Sequence, residues 1–316
     1  MSTLARIKSN MVEVEGGTFT MGCMDDPHET AQKRQKASDI EWERKGSDYD
    51  ESPDTDAYDI FETSGNPEAG IEASYEDESA DEFQCDDNDE EADIEEYDEL
   101  ERDEDDRYLK SDYLSLDDFP DELCYHTVTV SSFQLSKFPV STEEWQAIMG
   151  YLPEGSPGAG YPVTNISWHE AQKFISILND LSGGHYRLPT EAEWEHAARG
   201  GKNSMGFRYS GSNNVNDVAW YYANTKGKLR KSGFKNPNEL GLYDMSGNIY
   251  EWCADWYGAY SGGPEIDPEG IGNGDSRVIR GGDCTEEAYS CQVWARNAMN
   301  PDGHMGYLGF RLAQDN

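Results

Sequence analysis

Between residues 241 and 256 the chain reads GLYDMSGNIYEWCADW, where glycine, carboxylate and tryptophan are crowded into one short span. Asp244, Gly247 and Glu251 are spaced so that a tight turn at Ser246–Gly247 brings both carboxylates and the intervening main-chain carbonyls to one point. Such an all-oxygen set suits a hard cation such as calcium, although the same residues also make a corner whose acids simply face water. The other residue types with chemistry to offer are sparser. Six cysteines stand at 23, 85, 124, 253, 284 and 291, without a CxxC pair. They are too few and too irregular for a disulfide framework, so free thiols are expected, with Cys291 equally readable as a small buried apolar side chain. The histidines at 28, 126, 169, 185, 196 and 304 form neither HExxH nor a helix-spaced pair, which sets a zinc hydrolase aside. No nucleophile elbow and no glycine-rich phosphate loop is present. The acidic run Asp81–Asp106 lacks the glycine and alternating spacing of an EF-hand loop.

The elements that must position these groups are legible from local signals. Met11–Met21 alternates apolar and polar residues around Gly16–Gly17, and Thr127–Val130 with Phe133–Phe138 does so around Ser131–Ser132, which predicts two hairpins. Three capping boxes follow: Ser141 with Glu144, Ser167 with Glu170, and Thr190 with Glu193. The first opens a short helix closing on Gly150, with Trp145, Ile148 and Met149 on one side. The second opens a longer helix burying Ala171, Phe174, Ile175, Leu178 and Leu181 before Gly183–Gly184. The third turns Trp194, Ala197 and Ala198 inward. From Tyr209 onward glycine, asparagine and proline alternate with aromatics, which predicts long loops pinned by core aromatics such as Trp220, Tyr221, Trp252 and Trp256. Three short helices with few short strands make an α+β domain.

Charge divides the chain. Its formal net charge is −39, and residues 25–123 carry 40 Asp and Glu against 8 Lys and Arg, leaving 24 and 17 elsewhere. A segment so rich in like charge and so poor in apolar residues cannot offset its ordering entropy, so 25–123 is expected to be an acidic insert without a core. The acidic balance excludes direct binding to nucleic acid or to anionic membrane surfaces, and leaves a basic partner for the insert. No apolar leader or membrane-length apolar run is present, which predicts a cytoplasmic protein.

The stretch Gly241–Trp256 resembles the G-L-Y-[DN]-[MIL]-x-G-N-x-x-E-W signature of the formylglycine-generating enzyme, or sulfatase-modifying-factor, family. Val12–Gly22, His126–Gly150, Tyr161–Gly201 (with RLPTEAEWE), Arg277–Gly282 and Gly309–Ala313 resemble that family's other motifs in the same order. The resemblance implies a loop-rich, C-type-lectin-like fold made from residues 1–24 and 124–316. It implies a calcium site from the side chains of Asp244 and Glu251 and the carbonyls of Gly247 and Ile249. A second calcium site would use Asn224 and the carbonyl of Thr225, but the following Lys226–Phe234 is basic where the family has an acid. Catalytic members hold copper(I) on two cysteines five residues apart, beginning four residues after the second glycine of RxxRGG. Counted from Gly282 those positions are Glu286 and Cys291; counted back from Arg296 neither is cysteine. A carboxylate is a poor ligand for so soft an ion, so the pair is incomplete.

Two functions follow. One is a calcium-braced binding module, similar to ligand-displaying lectin-like relatives including those diversified by retroelements. It would present Asp283, Thr285, Glu286, Glu287, Trp294, Arg296, Asn300, His304 and Tyr307 to a protein or peptide. The other is a copper-dependent oxidase that converts a substrate cysteine to formylglycine with oxygen, using Cys291 with Cys284 as a displaced partner.

Overall fold

The computed structural model describes residues 2–22 and 125–316; the expectation for the acidic segment 25–123 lies outside the described residues. A helix not anticipated from sequence, α1 (Thr3–Ser9), leads into β1 (Met11–Val14) and β2 (Gly17–Gly22). These two strands do not fold back on each other. β1 pairs antiparallel with β4 (Phe133–Ser136), Val14 opposite Phe133. β2 pairs with β3 (Tyr125–Val130), Gly17 opposite Val130. The two expected hairpins are therefore two long segments lying side by side, both bent at Gly16 and Ser131–Ser132. Alternation identified the strands but not their partners, because a period of two is indifferent to which edge is paired. A two-residue reversal needs positive φ, and neither Gly16 nor Gly17 has it. Gly16 is required for another reason: a Cβ there would stand 2.4 Å from the Val130 carbonyl oxygen.

Three small sheets result, in the orders β1-β4-β11-β5, β10-β6-β8-β9 and β2-β3-β7. The second positions the site. Its strand β6 (Tyr250–Trp256) lies between β8 (Arg277–Arg280), antiparallel, and β10 (Leu308–Gly309), parallel, with β9 (Arg296–Met299) outside β8. The remaining strands are β5 (Tyr186–Arg187), β7 (Glu265–Ile266) and β11 (Ala313–Asp315).

All three capping boxes form, opening α2 (Thr142–Met149), α3 (Trp168–Ser182) and α4 (Glu191–Ala198). Gly150 and Gly183 close the first two in the left-handed conformation. Leu181, expected in the core, is 58% exposed, because the last turn of α3, with Asp180 and Ser182 also exposed, lies in solvent. Two one-turn helices, α5 (Val215–Val218) and α6 (Tyr222–Thr225), punctuate the loops. In the core Trp145 stacks on Phe174 at 5.5 Å, and Phe310 meets Phe174 edge-on at 5.4 Å. Each such fully buried side chain contributes about 1.5–3 kcal/mol.

Helix α4 departs from its expected single inward face, since every one of its residues is buried, Glu191, Glu193, Glu195 and His196 included. Buried carboxylates need complete pairing. Glu195 and Arg280, both inaccessible to solvent, form an ion pair, and Arg199 binds Glu195 at 2.7 Å. Glu191 takes a two-pronged contact from Arg296 at 2.6 and 2.8 Å. Arg187 grips Glu193 at 2.6 and 2.7 Å and also reaches Asp315 of the last strand. These pairs fasten α4 to β8, β9 and the chain's end. No described helix is long and apolar enough to cross a membrane.

Candidate functional site

The turn before β6 is built from residues that tolerate left-handed backbone: Asp244 (φ 55°), Gly247 (76°) and Asn248 (70°). Gly247 packs so closely that a Cβ would lie 2.3 Å from the Trp220 carbonyl oxygen. Asn248 N–H donates to that same carbonyl at 2.7 Å, and Gly247 N–H to the Gly281 carbonyl at 2.8 Å. The turn is thus wedged between the α5–α6 loop and the glycine pair after β8.

Its two carboxylates are both buried but differently satisfied. Glu251 accepts from Arg311 through both oxygens, at 2.6 and 2.7 Å, and from the Trp194 indole N–H at 2.7 Å. Asp244 Oδ2 accepts from Gly233 N–H at 2.7 Å, while its Oδ1 is buried without a partner. Burial pushes the Asp244 carboxyl up to about 6, and the Glu251 carboxylate adds to the rise. An orphaned carboxylate oxygen beside a second carboxylate is a donor set that could hold a hard cation, which Glu251 would have to share with Arg311. Arg311 lies outside the motif that signals the turn; its own signal in the sequence is an arginine inside the apolar run Gly309–Ala313, where a charge must be paired to be buried.

The elements of a second cation site are otherwise engaged. Asn224 Oδ1 accepts from Tyr221 N–H at 3.0 Å and its amide donates to the Ala219 carbonyl. The basic segment beyond it is clamped by Asn248, whose side chain binds both N–H (3.0 Å) and C=O (3.1 Å) of Arg230.

The loop 283–291 carries the thiols. Cys284 and Cys291 are both fully buried and free. Cys291 packs with Tyr209, Val218, Ala219 and Tyr221. Burial drives the Cys291 thiol far above its ordinary value, and Asp283 and Glu286 push it further; burial and then Asp283 act the same way on Cys284. Glu286 Oε2 accepts from Ser290 Oγ at 3.1 Å. Among the described residues no three His, Cys, Asp or Glu side chains are grouped to hold one metal ion.

The nine residues expected to form one ligand face are distributed. Asp283 is buried, its Oδ1 accepting from Thr285 N–H and Oγ1 at 2.7 Å each, and burial raises its carboxyl to about 7. Arg296 lies inward on Glu191, stacked over Tyr260 at 4.1 Å, and Trp294 lies against Arg199. Thr285 and Glu287 are exposed and Glu286 is half-buried. Tyr307 joins this group through Gly227, whose carbonyl accepts from its hydroxyl at 3.1 Å and whose α-carbon faces Thr285. Exposed Asn300 and His304 sit apart, at the N-terminus of α3, where His304 bonds Glu170 at 2.8 Å. Spacing along the chain could not separate these groups, because ion pairing, not sequence distance, turns Arg296 inward.

The family model for the sulfatase-modifying factor enzyme 1-like domain matches residues 106–316. The chain is 33% identical to chaperone protein LppX of Paenibacillus barcinonensis, covering 41% of this chain and 64% of that one. It is 35% identical to the formylglycine-generating enzyme of Streptomyces coelicolor, covering 54% of this chain and 58% of that one. The chain thus spans less than two thirds of the length of these curated relatives. Among solved structures it is similar to Treponema denticola variable protein 1, with 30% identity and a TM-score of 0.58 over 66% of this chain and 92% of that one. The chain therefore belongs to the formylglycine-generating, sulfatase-modifying-factor-like domain family and has that family's α+β, C-type-lectin-like fold.

Proposed function

We propose that the chain is a binding module, with the Asp244–Glu251 turn braced by calcium and a surface of Thr285, Glu286, Glu287 and Tyr307 offered to a protein or peptide ligand. The observation that carries this is the state of the two thiols. Cys284 and Cys291 are sealed from solvent, and the carboxylates around them oppose the thiolate form that copper(I) requires. Calcium would be held by Asp244 Oδ1, by Glu251 and by the carbonyls of Gly247 and Ile249, and would supply the positive charge that the buried Asp244 oxygen lacks.

A second reading, a formylglycine-generating oxidase, is favoured by the 35% identity to the Streptomyces coelicolor enzyme. One experiment separates the two. Reduced protein is titrated with copper(I) and then incubated with a peptide containing Cys-x-Pro-x-Arg. A binding module takes up no stoichiometric copper and forms no aldehyde detectable by mass spectrometry. Aldehyde formed by wild type and abolished in Cys291→Ser would overturn the module reading and make Cys284 the first candidate for the second ligand.

A further inference from the structure

The segment Lys226–Lys235, KGKLRKSGFK, holds five of the 17 lysines and arginines outside residues 25–123 and contains no acid. Elsewhere among the described residues Arg187, Arg199 and Lys202 are ion-paired at the surface, whereas Lys8, Lys173 and Arg208 are exposed with no such pair, so what sets this segment apart is the clustering of its cations. Among the described residues no carboxylate lies within ion-pair distance of Lys226, Lys228, Arg230 or Lys231, and the three lysines are exposed. Three of these four positive ends lie over aromatic faces instead. Lys226 Nζ lies 5.9 Å from the Tyr222 ring, Lys231 Nζ 5.9 Å from the Tyr161 ring, and Arg230 5.6 Å from the Trp220 ring. Phe234, at the end of the strip, is 71% exposed.

The strip is fixed at several points. Asn248 holds Arg230, Gly233 N–H donates to Asp244, and Ser232 N–H donates to the Gly160 carbonyl at 3.1 Å. It adjoins the proposed ligand face at Gly227, whose carbonyl accepts from the Tyr307 hydroxyl at 3.1 Å and where an added Cβ would stand 3.8 Å from Thr285. A fixed cluster of cations without an ion pair among the described residues, with an exposed phenyl ring in the same segment, matches a ligand of opposite charge with an apolar side chain.

We infer that this strip is the docking edge for a short acidic peptide segment, its carboxylates on Lys226, Lys228, Arg230 and Lys231 and an apolar residue on Phe234. The inference rests on the binding-module reading and gives the chemical class of the part of the ligand that extends past the Glu286–Glu287 face onto this edge. A nucleic acid fits less well. Its affinity comes from many phosphate contacts along an extended footprint, and the rest of the chain is strongly acidic.

The test is fluorescence anisotropy on the full chain with a labelled Glu-rich peptide carrying a central leucine. Controls are its Gln counterpart and a single-stranded oligonucleotide of equal charge. The Glu peptide should bind, the Gln peptide should not, and affinity should fall about tenfold between roughly 50 and 200 mM salt. Lys228→Glu with Lys231→Glu should weaken binding about tenfold, and Phe234→Ser should weaken it at unchanged salt dependence. All three positions are exposed, so an unchanged melting temperature verifies folding. Absence of binding, binding indifferent to the charge reversals, or tighter binding of the oligonucleotide would overturn the inference. Each of those results leaves the copper and aldehyde assay untouched, so failure of this edge and failure of the module reading are separable.

Discussion

Asp255 lies near the end of β6, 3% exposed, and its Oδ2 accepts from Glu191 N–H, the first amide of α4, at 2.8 Å. Burial pushes its carboxyl from 3.8 up to about 8; the Glu191 and Glu193 carboxylates add to the rise, while Arg296 and the Glu191 amide oppose it. Arg277 faces it from the start of β8. Because the folded value lies above the unfolded one, the native state keeps a proton that the unfolded chain has released. Stability from this residue is therefore full below about pH 4 and is lost as pH rises through about 8. At about pH 7 the deficit is roughly three pH units at about 1.4 kcal/mol each, a ceiling of about 4 kcal/mol. Asp255→Asn keeps an oxygen for Glu191 N–H and removes the titration, but buries an amide N–H whose lack of a partner costs about 1–3 kcal/mol. The variant should be no more stable than wild type at about pH 4.5 and should overtake it by about 1–3 kcal/mol at about pH 8. Urea unfolding followed by tryptophan fluorescence across that range measures the difference directly. A difference that does not change with pH, or that grows in favour of wild type, refutes the reasoning.

Calcium should raise the melting temperature over chelator, adding about 2.7 kcal/mol at a hundredfold excess over Kd, and Asp244→Asn should erase the response; a wild type indifferent to chelator ends the idea. Glu195→Gln leaves Arg280 buried without its countercharge and should cost about 3–5 kcal/mol in urea unfolding, whereas a near-neutral result would mean the pair is not sealed from water. Cys291→Ser should lose about 1–3 kcal/mol of stability with no change in copper uptake, checked by melting and metal analysis. Gly16→Ala should cost about 1–3 kcal/mol, because its methyl group is driven into the Val130 carbonyl; unchanged stability would show that the bend can open.

Features that depend on neighbours along the chain are legible in the amino-acid sequence. Ser141, Ser167 and Thr190, each three residues ahead of a glutamate, set the starts of α2, α3 and α4, since a capping box closes within one turn. The ordered motifs ending in Gly309–Ala313 carried the family and thereby the fold. Partnership across the chain was decided by tertiary structure alone. Alternation marked Met11–Val14 and Gly17–Gly22 as strands, yet only the assembled sheets sent one to β4 and the other to β3. Helix α4 reads as half polar, and its glutamates became core residues because Arg280, Arg296 and Arg187 arrive from distant strands to neutralise them. The same long-range pairing drew Arg296 away from the surface and engaged Glu251 with Arg311, leaving Asp244 Oδ1 as the unsatisfied oxygen. The basic strip was visible as a run of letters, but its place beside Tyr307 follows from the hydrogen bond of the Tyr307 hydroxyl to the Gly227 carbonyl, a contact across dozens of residues that no local pattern encodes.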